Sequence, residues 1–376
     1  MEERVEKLLE KHKDDKDLTS EMDYIEPGWD WSKADLSGWN LRSLLLSDYC
    51  RVANFQNVEL VGSNLSECIL TKANFKNSNL HGANLEGAEL SFVDFRNVFF
   101  MSANLSHASI SEANLENAKL FGAVLVETTC SFSNLKNTDF RKSKIIKSFL
   151  NEDNLQQADF RGAVLRKTDL TSSDLKEAKF DKYTKLRKVR MYNCSLERST
   201  LKNAVKNLDK IIIQERENRY EEGKQIYLLL KNYFKQEGVY DISGEYYYRE
   251  KLMETKYNWK EKKYLQWIGN MFFNLVAGYG ERPLRVLIWW VGIILGYSFI
   301  YYFYNGIYIR MANNIASFNP KFLEALYFSI VTFTTLGFGD LAPKPGFFQL
   351  FASFEALLGA IFMAMFIFVF ARKMIR

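Results

Sequence analysis

SANLSHASISEANLENAKL, residues 102–120, repeats one instruction every five positions: Ala103-Asn104-Leu105, Ala108-Ser109-Ile110, Ala113-Asn114-Leu115, Ala118-Lys119-Leu120. The segment ANLEGAEL (83–90) follows the same rule, and the rule extends in both directions. From Phe55 to Phe180 every fifth residue is Leu, Phe or Ile at 25 of 26 positions, with Cys130 the exception. Two residues earlier in each pentad the side chain is Ala, Ser, Thr, Val or Cys, and Asp153 is the one misfit. A period of five matches neither the 3.6 of a helix nor the 2 of a strand. Residues two apart on an extended segment do point the same way. The large and the small residue of each pentad can therefore share one interior. Turning the chain after each pentad stacks short segments around a narrow core, and the small residue is needed because the axis is crowded.

The pattern A-[DN]-L-x-x resembles the pentapeptide-repeat family. Leu36, Leu41 and Leu46 continue it upstream in a shifted frame, and Leu186, Met191, Leu196 and Leu201 continue it downstream. The resemblance implies a right-handed quadrilateral β-helix with four pentads per coil. The 33 pentads then make about eight coils, a rod about 40 Å long at the ~4.8 Å strand spacing. Cys68, Cys130 and Cys194 fall on inward positions and read as buried core thiols. His81 and His107 fall on outward positions and read as solvated surface. The inward Asp153 predicts a bulge or irregular corner at 151–154, where the carboxylate finds backbone donors or the strand kinks out. Members of the family that mimic DNA are acidic dimers. The many Lys and Arg on these repeats argue against that role.

The whole chain has 376 residues and a net charge of +5, too small to suggest nucleic-acid binding without a concentrated patch. Its 30 Phe and 20 Tyr argue against disorder. The four cysteines are far apart with no CxxC, and the three histidines have no ligand spacing, which excludes a zinc site or disulfide framework as the organising device. The charged start MEERVEKLLEKHKDDKD has no apolar core, so no cleavable signal peptide is expected and the repeats should stay in the cytoplasm.

After Leu208 the period changes. Ile212, Glu215, Arg219, Ile226, Leu229, Leu230 and Tyr233 predict a helix ending near Gln236, with Gly238 as its breaker. A second helix is expected from Ile242 to Asn258, the pair forming a helical hairpin whose Tyr246, Tyr247 and Tyr248 serve packing. In KEKKYLQWIGNMFFNLVAGYGERP (260–283), Tyr264, Leu265, Ile268, Met271, Phe272, Leu275 and Val276 recur at helical spacing behind Lys260, Lys262 and Lys263. A basic, aromatic amphipathic helix of this kind suits a membrane interface, with Lys262 and Lys263 toward anionic lipid. Gly278-Tyr279-Gly280 reads as a turn, and Pro283 opens the next helix.

Residues 284–304 are 21 in number with one charge, Arg285, at the start, and cover about 31 Å as a helix, enough for one crossing. Residues 347–371, 25 in number, cover about 37 Å and should tilt. Arg282 and Arg285 precede the first span, while Arg372, Lys373 and Arg376 follow the second. The positive-inside rule then puts both ends in the cytoplasm and 305–346 outside.

Between the spans, KFLEALYFSIVT (321–332) is apolar but too short to cross, and it runs into Thr334-Thr335-Leu336-Gly337-Phe338-Gly339-Asp340. A short helix followed by Thr-x-Gly-Phe-Gly-Asp between two spans resembles the pore loop of potassium channels, with Leu336 and Phe338 departing from TVGYGD. The resemblance covers 284–372 and implies that Thr334, Thr335, Leu336, Gly337, Phe338 and Gly339 form a selectivity filter. Physically, the glycines admit backbone conformations that turn successive carbonyls to one axis, where they replace a cation's water. Thr335 adds hydroxyl oxygen at the inner end, and Leu336 and Phe338 should point away and brace the loop. Non-helical backbone at membrane depth is tolerated only where it lines a cavity. One chain supplies one loop, so four chains are needed to enclose an axis. Asp340 is expected to brace the outer mouth, with Tyr327 as a partner. Gly359 falls on the family's inner-helix hinge glycine, or is a helix-packing glycine, and Met363 and Ile367 lie near the cavity or gate. Glu355, inside the second span, is either a hydrogen-bond partner at the back of the pore helix or a protonation switch.

The sequence thus predicts a multidomain β plus membrane α protein: an N-terminal helical or cap segment (1–33), a cytoplasmic β-helix (34–206), a helical hairpin linker (207–258), an interfacial helix (259–282) and a two-span pore domain (283–376) with a re-entrant loop, assembled as a C4 homotetramer in the cell membrane. The expected pore-domain elements are a first span at 284–304, a pore helix at 321–333, a filter at 334–340 and a second span at 347–371. It predicts a potassium-selective channel without cofactors beyond the permeant ion, contacting lipid and a cytoplasmic regulator on the β-helix, and no nucleic acid. Two rival readings are a weakly selective cation channel and a membrane-anchored adaptor. No Walker loop, nucleophile–base pair or metal cluster suggests an enzyme.

Overall fold

A computed structural model describes residues 3–21, 25, 28–44, 52–208, 212–309 and 319–374. Leu46, Cys50 and Arg376 lie outside the described residues. The chain forms two compact units, Met1–Ser243 and Gly244–Arg376.

In the first unit the pentads wind into coils that stack through parallel bridges. Asn54 pairs with Asn74, and that ladder continues through Asp94, Asn114, Asn134, Asn154 and Asp174, always twenty residues on. Three further ladders run through Glu59 and Asn79, through Asn64 and Asn84, and through Ile69 and Glu89. Four pentads therefore close one coil. The ladder widens into three-residue strands β1 (Val124–Val126), β2 (Lys144–Ile146), β3 (Val164–Arg166) and β4 (Lys185–Arg187), paired in that order. Every large pentad residue from Phe55 to Phe180 is buried, and rings stack along the axis. Phe55 lies on Phe75 at 4.6 Å between centroids, and Phe140 on Phe160 at 5.1 Å. The small position is kept small by this crowding. At several Ser and Thr of this position the hydroxyl donates to a carbonyl of the coil before: Thr128 to Leu105 O (2.8 Å), Ser148 to Leu125 O (2.9 Å) and Thr168 to Ile145 O (2.8 Å). Cys68 and Cys194 occupy this same buried column, and Cys130 is buried at a large position.

The abundant middle Asn has two uses that its spacing alone did not disclose. Its Oδ1 accepts the N–H two residues on, as in Asn134 with Lys136 (3.3 Å), fixing the corner. Its Nδ2 donates to the Asn one coil earlier, as in Asn154 to Asn134 (3.2 Å) and Asn134 to Asn114 (3.1 Å). Residues after the corner sit at positive φ, for example Asn137 at 56° and Gly162 at 70°, a region Gly and Asn enter at least cost.

Two expectations need correction. No bulge interrupts 151–154: Asn154 pairs with Asn134 and Asp174 in unbroken register. The one-residue insertion lies at 181–184, after which the spacing becomes 21, as in Val164 with Lys185. There the Asp181 carboxylate accepts the N–H groups of Gly162 (2.9 Å), Tyr183 (3.0 Å) and Thr184 (2.9 Å), so these three donors keep a partner around the extra residue. Coiled structure also begins before Ala34. Asp17 bridges Asn40, Asp30 bridges Asn54, and Trp31 stacks on Phe55 at 5.9 Å. Ahead of it, helix α1 (Glu3–Lys11) buries Val5 and Leu8. At the other end a short helix α2 (Ile213–Arg216) leads to α3 (Tyr220–Gln236). Tyr233 of α3 ties it to the last coil, donating to Ser199 O (2.9 Å) and accepting from Lys202 N (3.0 Å).

Helix α4 (Tyr240–Lys260) leads into the second unit, which continues with α5 (Tyr264–Ala277), α6 (Pro283–Phe303), α7 (Phe322–Phe333) and α8 (Phe347–Met374). Pro283 occupies the first turn of α6, and Gly278 ends α5 in the left-handed conformation. Helices α6 and α8 are long and apolar enough to cross a membrane, while α7 is too short. Two strands join the segments outside them: β5 (Ile307–Ile309) pairs antiparallel with β6 (Leu341–Pro343). This tie holds Ile309 against Leu341, the residue that follows Asp340.

Candidate functional site

The site is built on α7 and the seven residues after it. Apolar Ala325, Phe328, Val331 and Phe333 of α7 are buried against α6 and α8. Trp290 of α6 meets Phe333 at 6.0 Å, and Tyr301 meets Phe328 at 5.0 Å. Ser329 donates its hydroxyl to Ile294 O of α6 (3.0 Å) and to the Glu355 carboxylate of α8. Tyr301 donates to the other Glu355 oxygen (2.9 Å). Fully buried Glu355 thus accepts from both α6 and α7 and fixes the back of α7. Glu355→Ala leaves two buried hydroxyls without this acceptor. It is expected to cost about 2–4 kcal/mol, measured as thermal unfolding in detergent. Glu355→Gln keeps an acceptor and is expected to leave conductance and its pH response unchanged, whereas an abolished pH response would make Glu355 a proton switch.

Gly359 meets α7 from the other side. It is buried, and a Cβ placed on it would overlap the Phe333 carbonyl and stand 3.1 Å from Phe333 Cα. Only glycine lets α8 pass the end of α7 at this distance.

Beyond α7 the backbone leaves helical geometry in a regular way. Thr334 donates its hydroxyl to Ile330 O (2.7 Å), and Leu336 N–H reaches Val331 O (3.0 Å). Positive φ then falls on alternate residues: Thr335 at 56°, Gly337 at 57° and Gly339 at 81°. Alternation between the two halves of φ space turns successive carbonyls toward one side of the chain and N–H groups toward the other. For β-branched Thr335 this region is strained, the kind of outlier that clusters at functional sites. Leu336 and Phe338 are 62% and 66% exposed on the single chain. The Phe338 ring lies parallel to that of Tyr327 at 6.5 Å, and the Asp340 carboxylate sits beside the Tyr327 hydroxyl. A backbone that alternates in this way can present its carbonyl oxygens to a dehydrated monovalent cation. Met363 is half-buried and Ile367 is 60% exposed, both beside the α8 face that packs inward. They lie away from 334–340 along the helix.

One arrangement was not legible in the sequence. Arg372, read only as a positive charge after a span, is held at the end of α8 by three groups. It pairs with Glu281 (3.3 Å), donates to Tyr279 O (3.4 Å) and lies 4.3 Å over the Tyr247 ring. Arg282 lies 4.2 Å over Tyr248, and Thr255 shares a hydrogen bond with Tyr279 (2.6 Å). The Gly278–Gly280 turn is therefore a clamp between α4 and α8. A cavity of about 490 Å³ opens beside it, lined by Phe273, Tyr279, Met365 and Phe368 among others.

Comparison with known families places both halves. A family model described as ion channel matches residues 288–376, and a model described as pentapeptide repeats (8 copies) matches residues 50–87, 83–122, 103–141 and 154–182. Among solved structures, a plasmid-mediated fluoroquinolone resistance protein is 25% identical over 41% of this chain and 78% of its own, with a TM-score of 0.36. A pentapeptide repeat protein involved in heterocyst differentiation regulation, from the cyanobacterium Nostoc, is 22% identical over 47% of this chain and 86% of its own, with a TM-score of 0.24. A pentapeptide repeat protein of the Arabidopsis thaliana thylakoid lumen is 27% identical over 30% of this chain and 66% of its own, with a TM-score of 0.13. No curated protein matches the chain. The chain joins a pentapeptide-repeat β-helix to an ion-channel segment with two helices long and apolar enough to cross a membrane.

Proposed function

We propose that four copies assemble around the 334–340 segments as a C4 homotetrameric potassium channel. In this reading α7 and the following residues form a re-entrant loop. The carbonyls of Thr334, Thr335, Leu336, Gly337, Phe338 and Gly339 carry potassium, and Asp340 braces the outer mouth. The observation that carries it is the TTLGFGD string after a short apolar helix, between two long ones, with left-handed backbone at alternate positions. Exposed apolar side chains on α6 and α8, such as Ile288, Phe299, Phe354 and Ile367, supply surface for lipid and neighbouring subunits. Both termini lie in the cytoplasm, and the repeats form a right-handed quadrilateral β-helix that organises the tetramer or receives a cytoplasmic regulator. The chemistry is conduction, not catalysis.

A second reading, weakly selective cation conduction, is favoured by Phe338. It brings a ring but no hydroxyl to the back of the loop, and so one fewer hydrogen bond to hold the loop's diameter. Potassium flux from vesicles holding the purified chain tests the proposal. Gly337→Ala puts a Cβ on a left-handed residue and is expected to reduce flux to the level of empty vesicles. Flux equal to that of the unsubstituted chain would remove 334–340 from the pathway.

A further inference from the structure

The last coils of the β-helix carry a charge pattern that neither conduction nor the repeat fold requires. Three stretches stack one coil apart: RKSKIIK (141–147), RGAVLRK (161–167) and KYTKLRK (182–188). Together they hold eleven Lys or Arg and no Asp or Glu. Their central residues are strands β2, β3 and β4, so the register stacks them on one face: Lys144 with Val164 and Lys185, and Ile146 with Arg166 and Arg187. Arg166 and Arg187 are direct neighbours in the ladder, a like-charge placement that costs stability unless something anionic covers it.

Some of the rim is neutralised from within. Arg141 pairs with Asp139 (2.7 Å), Arg161 with Asp159 (2.6 Å) and Lys147 with Glu127 (2.6 Å). The face itself is not. Lys144, Arg166, Lys167, Lys185 and Arg187 are exposed and make no ion pair among the described residues. Half-buried Val124, Ile146 and Val164 lie between them.

We infer that this face of β1–β4 rests on the anionic headgroups of the bilayer that α6 and α8 enter. The inference rests on the membrane reading of those helices. Charge complementarity selects a polyanion, and three further features select lipid. The face is a short in-register parallel sheet whose outward residues form a two-dimensional array. Strands β1–β4 carry no aromatic side chain, the platform on which single-stranded nucleic acids stack, and the three stretches hold one, Tyr183, in the corner before β4. A chain fixed in a bilayer also meets headgroups at high effective concentration, and juxtamembrane basic clusters gain from each Lys or Arg within a Debye length of the surface.

The test uses the full chain in nanodiscs of phosphatidylcholine alone or mixed with phosphatidylglycerol, with lysine acylation read by mass spectrometry. Lys144, Lys167 and Lys185 are expected to label several-fold more slowly in the anionic discs. High salt should abolish the difference, and Lys7 and Lys13 should label alike in both. Arg166→Glu with Arg187→Glu should remove the protection at Lys144 and Lys185. Arg166→Gln with Arg187→Gln should weaken it, and serves as the second variant if charge reversal disturbs the coil. Equal labelling in the two discs overturns the inference. So does protection that appears only when a single-stranded polynucleotide is added to zwitterionic discs, which would assign the face to nucleic acid. A chain that does not enter discs at all contradicts the membrane reading instead, so the two failures are distinguishable.

Discussion

Gly359→Ala is expected to abolish ion flux while the chain still inserts into membranes. The added methyl meets the Phe333 carbonyl, which is backbone and has no rotamer to escape into. Overpacking of this kind costs about 1–3 kcal/mol where neighbours can shift. Here the neighbour is the last residue of α7, and a shift of that residue carries Thr334–Gly339 with it. The substitution separates two roles that glycine can have in a pore-lining helix. If Gly359 is a packing residue, alanine destroys conduction and lowers the melting temperature in detergent. If it is a hinge, alanine leaves single-channel conductance intact and changes only the open fraction. The contact with Phe333 predicts the first result, and single-channel recording with a thermal melt on the same preparation decides between them.

The second large effect lies in the β-helix. Asp153 is 2% exposed in the column of small residues, and its Oδ1 accepts the Ser133 N–H (2.7 Å) while its Oδ2 has no partner. Burial raises its pKa from the ordinary 3.8 to about 8. The folded chain therefore holds a proton that the unfolded chain releases at pH values between those two. Stability is full below the unfolded value, falls as pH rises through the window and levels off above about 8. At pH 7 the burial cost is about 4 kcal/mol. Asp153→Ser supplies the hydroxyl that Ser133 and Ser173 use at the same place one coil away, where they donate to Ile110 O (3.0 Å) and Leu150 O (2.6 Å). The substitution is expected to stabilise these coils by several kcal/mol at neutral pH and to flatten their pH dependence. Amide hydrogen exchange of residues 113–180 in the intact, detergent-solubilised chain measures both. Equal protection in the two proteins from pH 5 to pH 8 would mean that the Asp153 carboxylate is not desolvated.

Much of the architecture was legible because it is periodic. A coil that must place one large and one small side chain inward every five residues writes that need directly into the sequence, as Ala113-Asn114-Leu115 does. The two long apolar helices declared themselves by length and hydropathy. What was missed lacks a period. The register shift shows in the sequence as a change of frame after Phe180, yet the inward charge of Asp153 was the louder signal and pointed to the wrong place. A neutral acid fits where a small residue fits, so no bulge is needed. The coil containing Trp29 and Trp31 went unread because Asp35 and Glu59 are 24 residues apart in the ladder, not twenty, and a longer connection hides the phase. Strands β5 and β6 are three residues each, too short for alternation to show. The clamp of Tyr247 on Arg372 joins distant residues through a ring face, and no local pattern encodes it. For the candidate site, residue types and order were readable from TTLGFGD, while the dual hydrogen bond to Glu355 and the contact of Gly359 with Phe333 required three dimensions.

The clamp joins three elements within the second unit. Arg372 at the end of α8 is bound by Tyr247 of α4 and by Glu281 before α6. Helix α8 also carries Gly359 and Glu355, which meet α7.

The central claim is that 334–340 conducts potassium in preference to sodium. The measurement that tests it most directly is the reversal potential of the purified chain in a planar bilayer, with potassium on one side and sodium on the other. A reversal displaced strongly toward the potassium equilibrium value, and lost together with the current in Gly337→Ala, is the predicted result. Clear current that reverses near zero would contradict it and would make the protein a weakly selective cation channel loosened around Leu336 and Phe338.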